Sequence, residues 1–164
     1  MTKIIPTTLF MLLLCIVSMA QPMADSTLFD FWVGNWSASW KNADGTDGKG
    51  CNRITKILDD KVIFENFEDS KGFKGTSISV YNPQKKEWHQ AWADNQGGYF
   101  DFEGFVEGEK RGFKTKPKET NGKVYVSRMV FYDIKKDSFN WDWEGSTDGG
   151  KTWQLNWRIN YKKK

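Results

Sequence analysis

The sequence predicts an all-β protein, an antiparallel up-and-down barrel of about ten strands with a short N-terminal helix capping one end. Three observations carry that expectation. Turn-forming clusters punctuate the chain at intervals of about 8–13 residues, the spacing of sandwiches and barrels. The segments between them alternate apolar and polar side chains, as a sheet does when one face is packed and the other wet. Aromatics make up 16% of 164 residues, including nine Trp, and the Trp concentrate on the apolar phase of those segments.

Residues 1–20, MTKIIPTTLFMLLLCIVSMA, stand apart from that pattern. Lys3 gives a positive start, residues 9–17 are an apolar run, and Ser18-Met19-Ala20 forms a small-x-small end. This is the layout of a cleaved secretory signal peptide. The run is shorter than the roughly 20 apolar residues a membrane span needs. Removal after Ala20 leaves one domain over residues 21–164, exported to the periplasm or beyond, with Cys51 as its one thiol. No His or cation neighbours Cys51 in sequence, so it reads as a half-buried strand thiol rather than a nucleophile.

Residues 25–34, DSTLFDFWVG, read as the capping helix. Asp25 or Ser26 can cap it, Leu28, Phe31 and Trp32 share a face, and Gly34 can end it. Turn signals then fall at residues 42–49, 59–60, 70–72, 82–86, 95–98, 107–112, 120–122, 135–137 and 147–150. Each contains Gly, Pro, Asn, Asp or Lys-Lys-Asp chemistry suited to tight turns. The nine turns separate ten strands. No gap holds a crossover helix, so neighbours pair antiparallel. A closed barrel hides both edges and the apolar face, and short connections favour it over a Greek-key sandwich.

The strands justify themselves by alternation. Trp36, Ala38 and Trp40 line up on the first. Residues 86–94, KEWHQAWAD, place Trp88 and Trp92 at a spacing that also suits a helix, but the flanking turns favour a strand with His89 outside or at a rim. Phe100, Phe102, Gly104 and Val106 oppose Tyr99, Asp101 and Glu103. Phe139, Trp141 and Trp143 oppose Asn140, Asp142 and Glu144. Trp153, Leu155, Trp157, Ile159 and Tyr161 share a face in the last strand. Around Arg128 two phases are open: Val124, Val126, Arg128, Val130 and Tyr132 inward, or Tyr125, Met129 and Phe131 inward with Arg128 outward.

Several functions are excluded or weakened. A net charge of +3, from 24 basic and 21 acidic residues, gives no electrostatic case for nucleic acid. One His and two Cys offer little to a metal, and no cofactor is expected. Asp44 and Asp47 fall short of a calcium loop. No phosphate loop, serine elbow or His-Glu metal helix is present. Residues 146–153, STDGGKTW, match the Asp-box pattern, which implies a hairpin in which Asp148 binds backbone amides and Trp153 packs below. The pairs Asp101 with Glu103 and Asp142 with Glu144 could serve glycoside hydrolysis only at the right separation, and alternation puts them on the wet face.

A ligand cavity is the functional use that nine Trp suggest, since wide barrels leave interior room. The candidate lining residues are Trp36, Trp88, Trp92, Trp141, Trp143 and Trp157, with Arg128 if it points inward.

Gly34-Asn35-Trp36, opening the first strand after the capping segment, resembles the Gly-x-Trp signature of lipocalin-like (calycin) barrels. The wider pattern FDFWVGNWSASW, WHQAWAD, RMVF and DSFNWDWEGSTDGGKTWQLNWRINY resembles exported bacterial proteins of a domain-of-unknown-function family with that barrel. The resemblance implies a basic residue near the end of the last strand packed across Trp36; Arg158 is the candidate and Arg128 a second. It is distinct from the related nitric-oxide-binding haem barrels, whose iron ligand is a C-terminal His, because His89 lies mid-chain. The expected function is non-catalytic binding of a small hydrophobic or aromatic molecule, as a monomer or homodimer. The alternatives are an enzyme using Arg128, His89, Asp101 or Glu103, and an interaction module with a filled core.

Overall fold

A computed structural model describes residues 25–164; residues 1–20, expected to be a signal peptide, lie outside them. Eleven antiparallel strands run in chain order: β1 Gly34–Lys41, β2 Asp47–Ile57, β3 Val62–Asp69, β4 Lys74–Asn82, β5 Glu87–Asp94, β6 Tyr99–Glu107, β7 Lys110–Lys114, β8 Lys118–Thr120, β9 Lys123–Lys135, β10 Ser138–Ser146 and β11 Gln154–Lys163. Ten of them close on themselves in the cycle β1 to β7, β9, β10 and β11, with β11 returning to β1 through Tyr161 opposite Ala38. All nine expected turns separate strands. The extra strand arises at Pro117, which has no N–H to donate; β8 is the short continuation of β7 along the same edge of β9.

No α-helix forms over residues 25–34. The segment is a run of turns ending in a three-residue 3-10 turn, Asp30–Trp32. Nucleating a helix fixes several residues before its hydrogen bonds accumulate, and β1 begins too soon after for a helix to extend. The segment still fills one end of the barrel. Phe29 is fully buried, stacked on Phe113 at 4.4 Å and edge-on to Trp88 at 5.2 Å. The chain is tied down by its carbonyls: Trp36 Nε1 donates to Trp32 O at 2.8 Å, Trp88 Nε1 to Asp25 O at 2.9 Å, and Arg111 Nη1 to Leu28 O at 3.2 Å. Lys56 Nζ pairs with Asp30 at 2.8 Å. Trp36, Phe131, Phe139 and Ile159 continue this packed end inward.

The two phases of β9 are resolved by register. Met129 lies opposite Trp143 and Phe131 opposite Trp141, all pointing inward, so Arg128 points outward. Its guanidinium stacks on Trp153 at 3.8 Å from the ring centre and pairs with Glu144 at 2.6 Å and Glu107 at 3.2 Å. Trp153 thus packs on the outer wall and not with Trp157 and Ile159. The hairpin at residues 146–153 has the expected wiring. Asp148 Oδ1 accepts from the Lys151 and Thr152 amides at 3.0 Å, and Oδ2 accepts from Thr152 Oγ1 at 2.6 Å. Gly150 holds a φ of +89° directly over the Trp153 ring. These hydrogen bonds keep the Asp148 carboxyl well below the usual carboxylate range.

Arg158 also points outward, bidentate to Asp142 at 2.8 and 2.6 Å. The basic residue across Trp36 is Lys163, whose Nζ lies 5.6 Å from the ring centre. Cys51 is exposed on β2 rather than half-buried. No helix among the described residues is long and apolar enough to cross a membrane.

Candidate functional site: an aromatic cup over a buried carboxyl

The end opposite the plug is hollow. A cavity of about 220 Å³ opens there, between the last residues of β3 and β5 and the far ends of β10 and β11. Its walls are Trp92, Trp141, Trp143 and Trp157, with Phe67, Phe73, Phe100 and Phe102 between them. The rings brace one another edge to face: Trp141 meets Trp157 at 5.8 Å, and Phe100 meets Trp143 at 5.5 Å. Such contacts orient the rings as well as burying them. Two glycines make space for the walls. A Cβ on Gly75 would lie 2.0 Å from the Trp92 ring, and one on Gly48 would lie 2.0 Å from Trp40, which packs edge-on against Trp157.

The polar lining is sparse. Glu65 of β3, Tyr161 of β11 and Asp94 of β5 are the polar residues there, and neither Lys, Arg nor His lines the cup. Glu65 is 7% exposed and held on both oxygens. Asn52 Nδ2 donates to Oε1 at 2.6 Å, and Ser77 Oγ donates to Oε2 at 2.6 Å. Asn52 Nδ2 also donates to the Tyr161 hydroxyl at 3.4 Å. Burial pushes the Glu65 carboxyl up to about 7, although both hydrogen bonds favour its ionised form. Burial, with the nearby Glu65 charge, pushes the Tyr161 hydroxyl up as well. Asp94 behaves oppositely. Burial opposes its ionisation, but the Gly98 amide, the Trp92 indole and the Gln96 amide all donate to it and hold it below the usual range.

One row deeper, Gln90 Nε2 donates to Ser79 Oγ at 2.9 Å. Among the described residues, Asn52 Oδ1 and Gln90 Oε1 are buried acceptors with no partner. The interior therefore holds a belt of polar groups, Asn52, Glu65, Ser77, Ser79 and Gln90, on four consecutive strands from β2 to β5.

Four of the seven residues expected at a cavity wall lie there: Trp92, Trp141, Trp143 and Trp157. Trp36 and Trp88 are buried in the plugged end, 0% and 3% exposed, because the capping segment packs onto them. Arg128 lies outside the barrel, for the register reason above. His89 faces solvent beside Glu87 at 2.9 Å. Asp101 accepts from the Tyr99 hydroxyl at 3.0 Å, and Glu103 pairs with Lys116 at 3.3 Å, both on the outer wall. Asp142 and Glu144 are committed to Arg158 and Arg128. Among the described residues, no group of three or more His, Cys, Asp or Glu side chains could hold a metal ion.

The belt was missed in sequence, though it left a signal. Glu65 lies in the apolar phase between Ile63 and Phe67, Gln90 between Trp88 and Trp92, and Asn52 between Gly50 and Ile54. A polar residue in the packed phase of an otherwise alternating strand marks a buried polar group that needs a partner. A broader depression of about 790 Å³ on the outer wall, over Cys51, Arg53, Asn66, Glu68 and Thr76, is more open to solvent and has two aromatic residues in its lining, Trp36 and Phe67, against the eight Trp and Phe of the cup.

No protein-family model matches the chain, and no curated protein matches it.

Proposed function

We propose that the protein is an exported, calycin-like barrel that binds a small hydrophobic or aromatic molecule in the cup, without catalysis. One observation carries this reading: an aromatic-walled cavity stands open at one end while the other end is packed solid. A filled core would place plug-like residues at both ends. Deep apolar cavities with a few fixed polar groups are the usual form of small-molecule sites. Lys163 over Trp36, together with Gly34-Asn35-Trp36 at the start of β1, supports the calycin-like assignment. Export to the periplasm or beyond rests on residues 1–20. The residues an enzymatic reading would have used, Arg128, His89, Asp101 and Glu103, all lie on the outer wall.

The test is native mass spectrometry of the mature chain, with Trp fluorescence during titration by a panel of small aromatics. A co-purified ligand, or saturable quenching, supports binding. Clean apo protein unresponsive to every compound contradicts it. Intact mass of the exported protein tests cleavage after Ala20.

A further inference from the structure

From the charge and chemistry of the cup, we infer that its ligand is a small organic ammonium ion: an amine cation on an apolar or aromatic body, its charged end directed to Glu65. This rests on the reading of the cup as a ligand site.

Two independent features of the lining point to a cation. The cup holds two carboxyl groups, Glu65 and Asp94, and no basic side chain to balance them. An anionic ligand would bring a third negative charge into a low-dielectric space with no cation to meet it. The walls present four indole rings, and indole is the aromatic face that attracts cations most strongly. In the polar belt around Glu65 the unpartnered buried atoms, Asn52 Oδ1 and Gln90 Oε1, are acceptors, but neither residue lines the cup, so the cation assignment rests on the carboxyls and the indoles. Glu65 suits the role because Asn52 and Ser77 fix both its oxygens, so the carboxylate is oriented before a ligand arrives.

The size of the cavity, about 220 Å³, admits a single-ring amine. The test uses three single-ring probes at about pH 8 by isothermal titration calorimetry: phenethylamine (cation), its near-isostere 2-phenylethanol (neutral) and the slightly larger 3-phenylpropionate (anion). Phenethylamine is expected to bind at least about tenfold tighter than 2-phenylethanol, and 3-phenylpropionate weakest, as a desolvated cation–π and carboxylate contact implies. Glu65→Gln, near-isosteric and checked for folding by near-UV circular dichroism, is expected to erase most of that preference while retaining 2-phenylethanol binding. Equal or tighter binding of the neutral or anionic probe would overturn the cation assignment and leave the small-aromatic reading standing. A preference unchanged in Glu65→Gln would overturn the role of Glu65. Binding of none of the three would overturn the ligand-site reading and this inference with it.

Discussion

Replacing Glu65 by Gln should make the protein more stable at neutral and alkaline pH, and should flatten its pH–stability curve. In the unfolded chain the carboxyl titrates near its ordinary value of 4.5; in the folded protein burial moves it to about 7. Below 4.5 both states hold the proton and the group contributes no difference. Between the two values the unfolded chain has released a proton that the folded one keeps, so raising the pH draws the equilibrium toward unfolding. Above about 7 the loss is complete and amounts to about 3 kcal/mol, as an order of magnitude. Gln cannot ionise, but its amide meets one donor where the carboxylate accepted two. That mismatch costs about 1 kcal/mol at every pH. The variant should therefore be slightly less stable than wild type at about pH 4 and more stable by roughly 2 kcal/mol at about pH 8. Urea denaturation followed by Trp fluorescence at a series of pH values measures both curves. Parallel curves, or a difference that grows toward acid, would refute the burial argument. The depressed carboxyls Asp25, Asp44, Asp47, Glu87, Asp94 and Asp148 lose their stabilising ionisation at lower pH and are common to both proteins.

Further outcomes follow from the same geometry. Phe29→Ala, which empties a fully buried site between Trp88 and Phe113, should cost about 3–5 kcal/mol in urea melts. Arg128→Ala should lower stability by roughly 1–3 kcal/mol, by unpairing Glu144 and uncovering Trp153, and should leave probe affinity in the cup unchanged. Asp148→Ala should remove hydrogen-exchange protection at the Lys151 and Thr152 amides without loosening the barrel strands. Gly75→Ala should drive the Trp92 ring out of its place and weaken binding of any cup ligand, read by calorimetry.

The barrel was legible in the sequence because its two determinants are local. Alternation requires only the order of residues, and turns require only the residue types that accept tight backbone angles. Strands such as Phe139–Trp141–Trp143 and turns such as residues 95–98 announce themselves without knowledge of their neighbours. The capping segment reads as a helix in sequence because Leu28, Phe31 and Trp32 fit a helical face, but the space before Gly34 is too short to extend one. Arg128 was ambiguous because β9 carries apolar residues on both phases. Only pairing of Met129 with Trp143 and Phe131 with Trp141 decides which phase is inside. The acidic floor of the cup was invisible for a related reason. Glu65 looks like an interruption of Ile63 and Phe67 until Asn52 from one neighbouring strand and Ser77 from the other are placed against it. Burial of that kind is a property of three strands together.

The nine Trp give the central claim its most direct measurement. A ¹⁵N–¹H spectrum reports each indole N–H separately, so titration with the tightest of the phenyl probes maps its position. Binding in the cup predicts large shifts for the indole signals of Trp92, Trp141, Trp143 and Trp157. The signals of Trp32, Trp36 and Trp88, in the plugged end, and of Trp153, on the outer wall, should stay in place. Shifts centred on the plug or the outer wall, or none at saturating probe, would contradict the account.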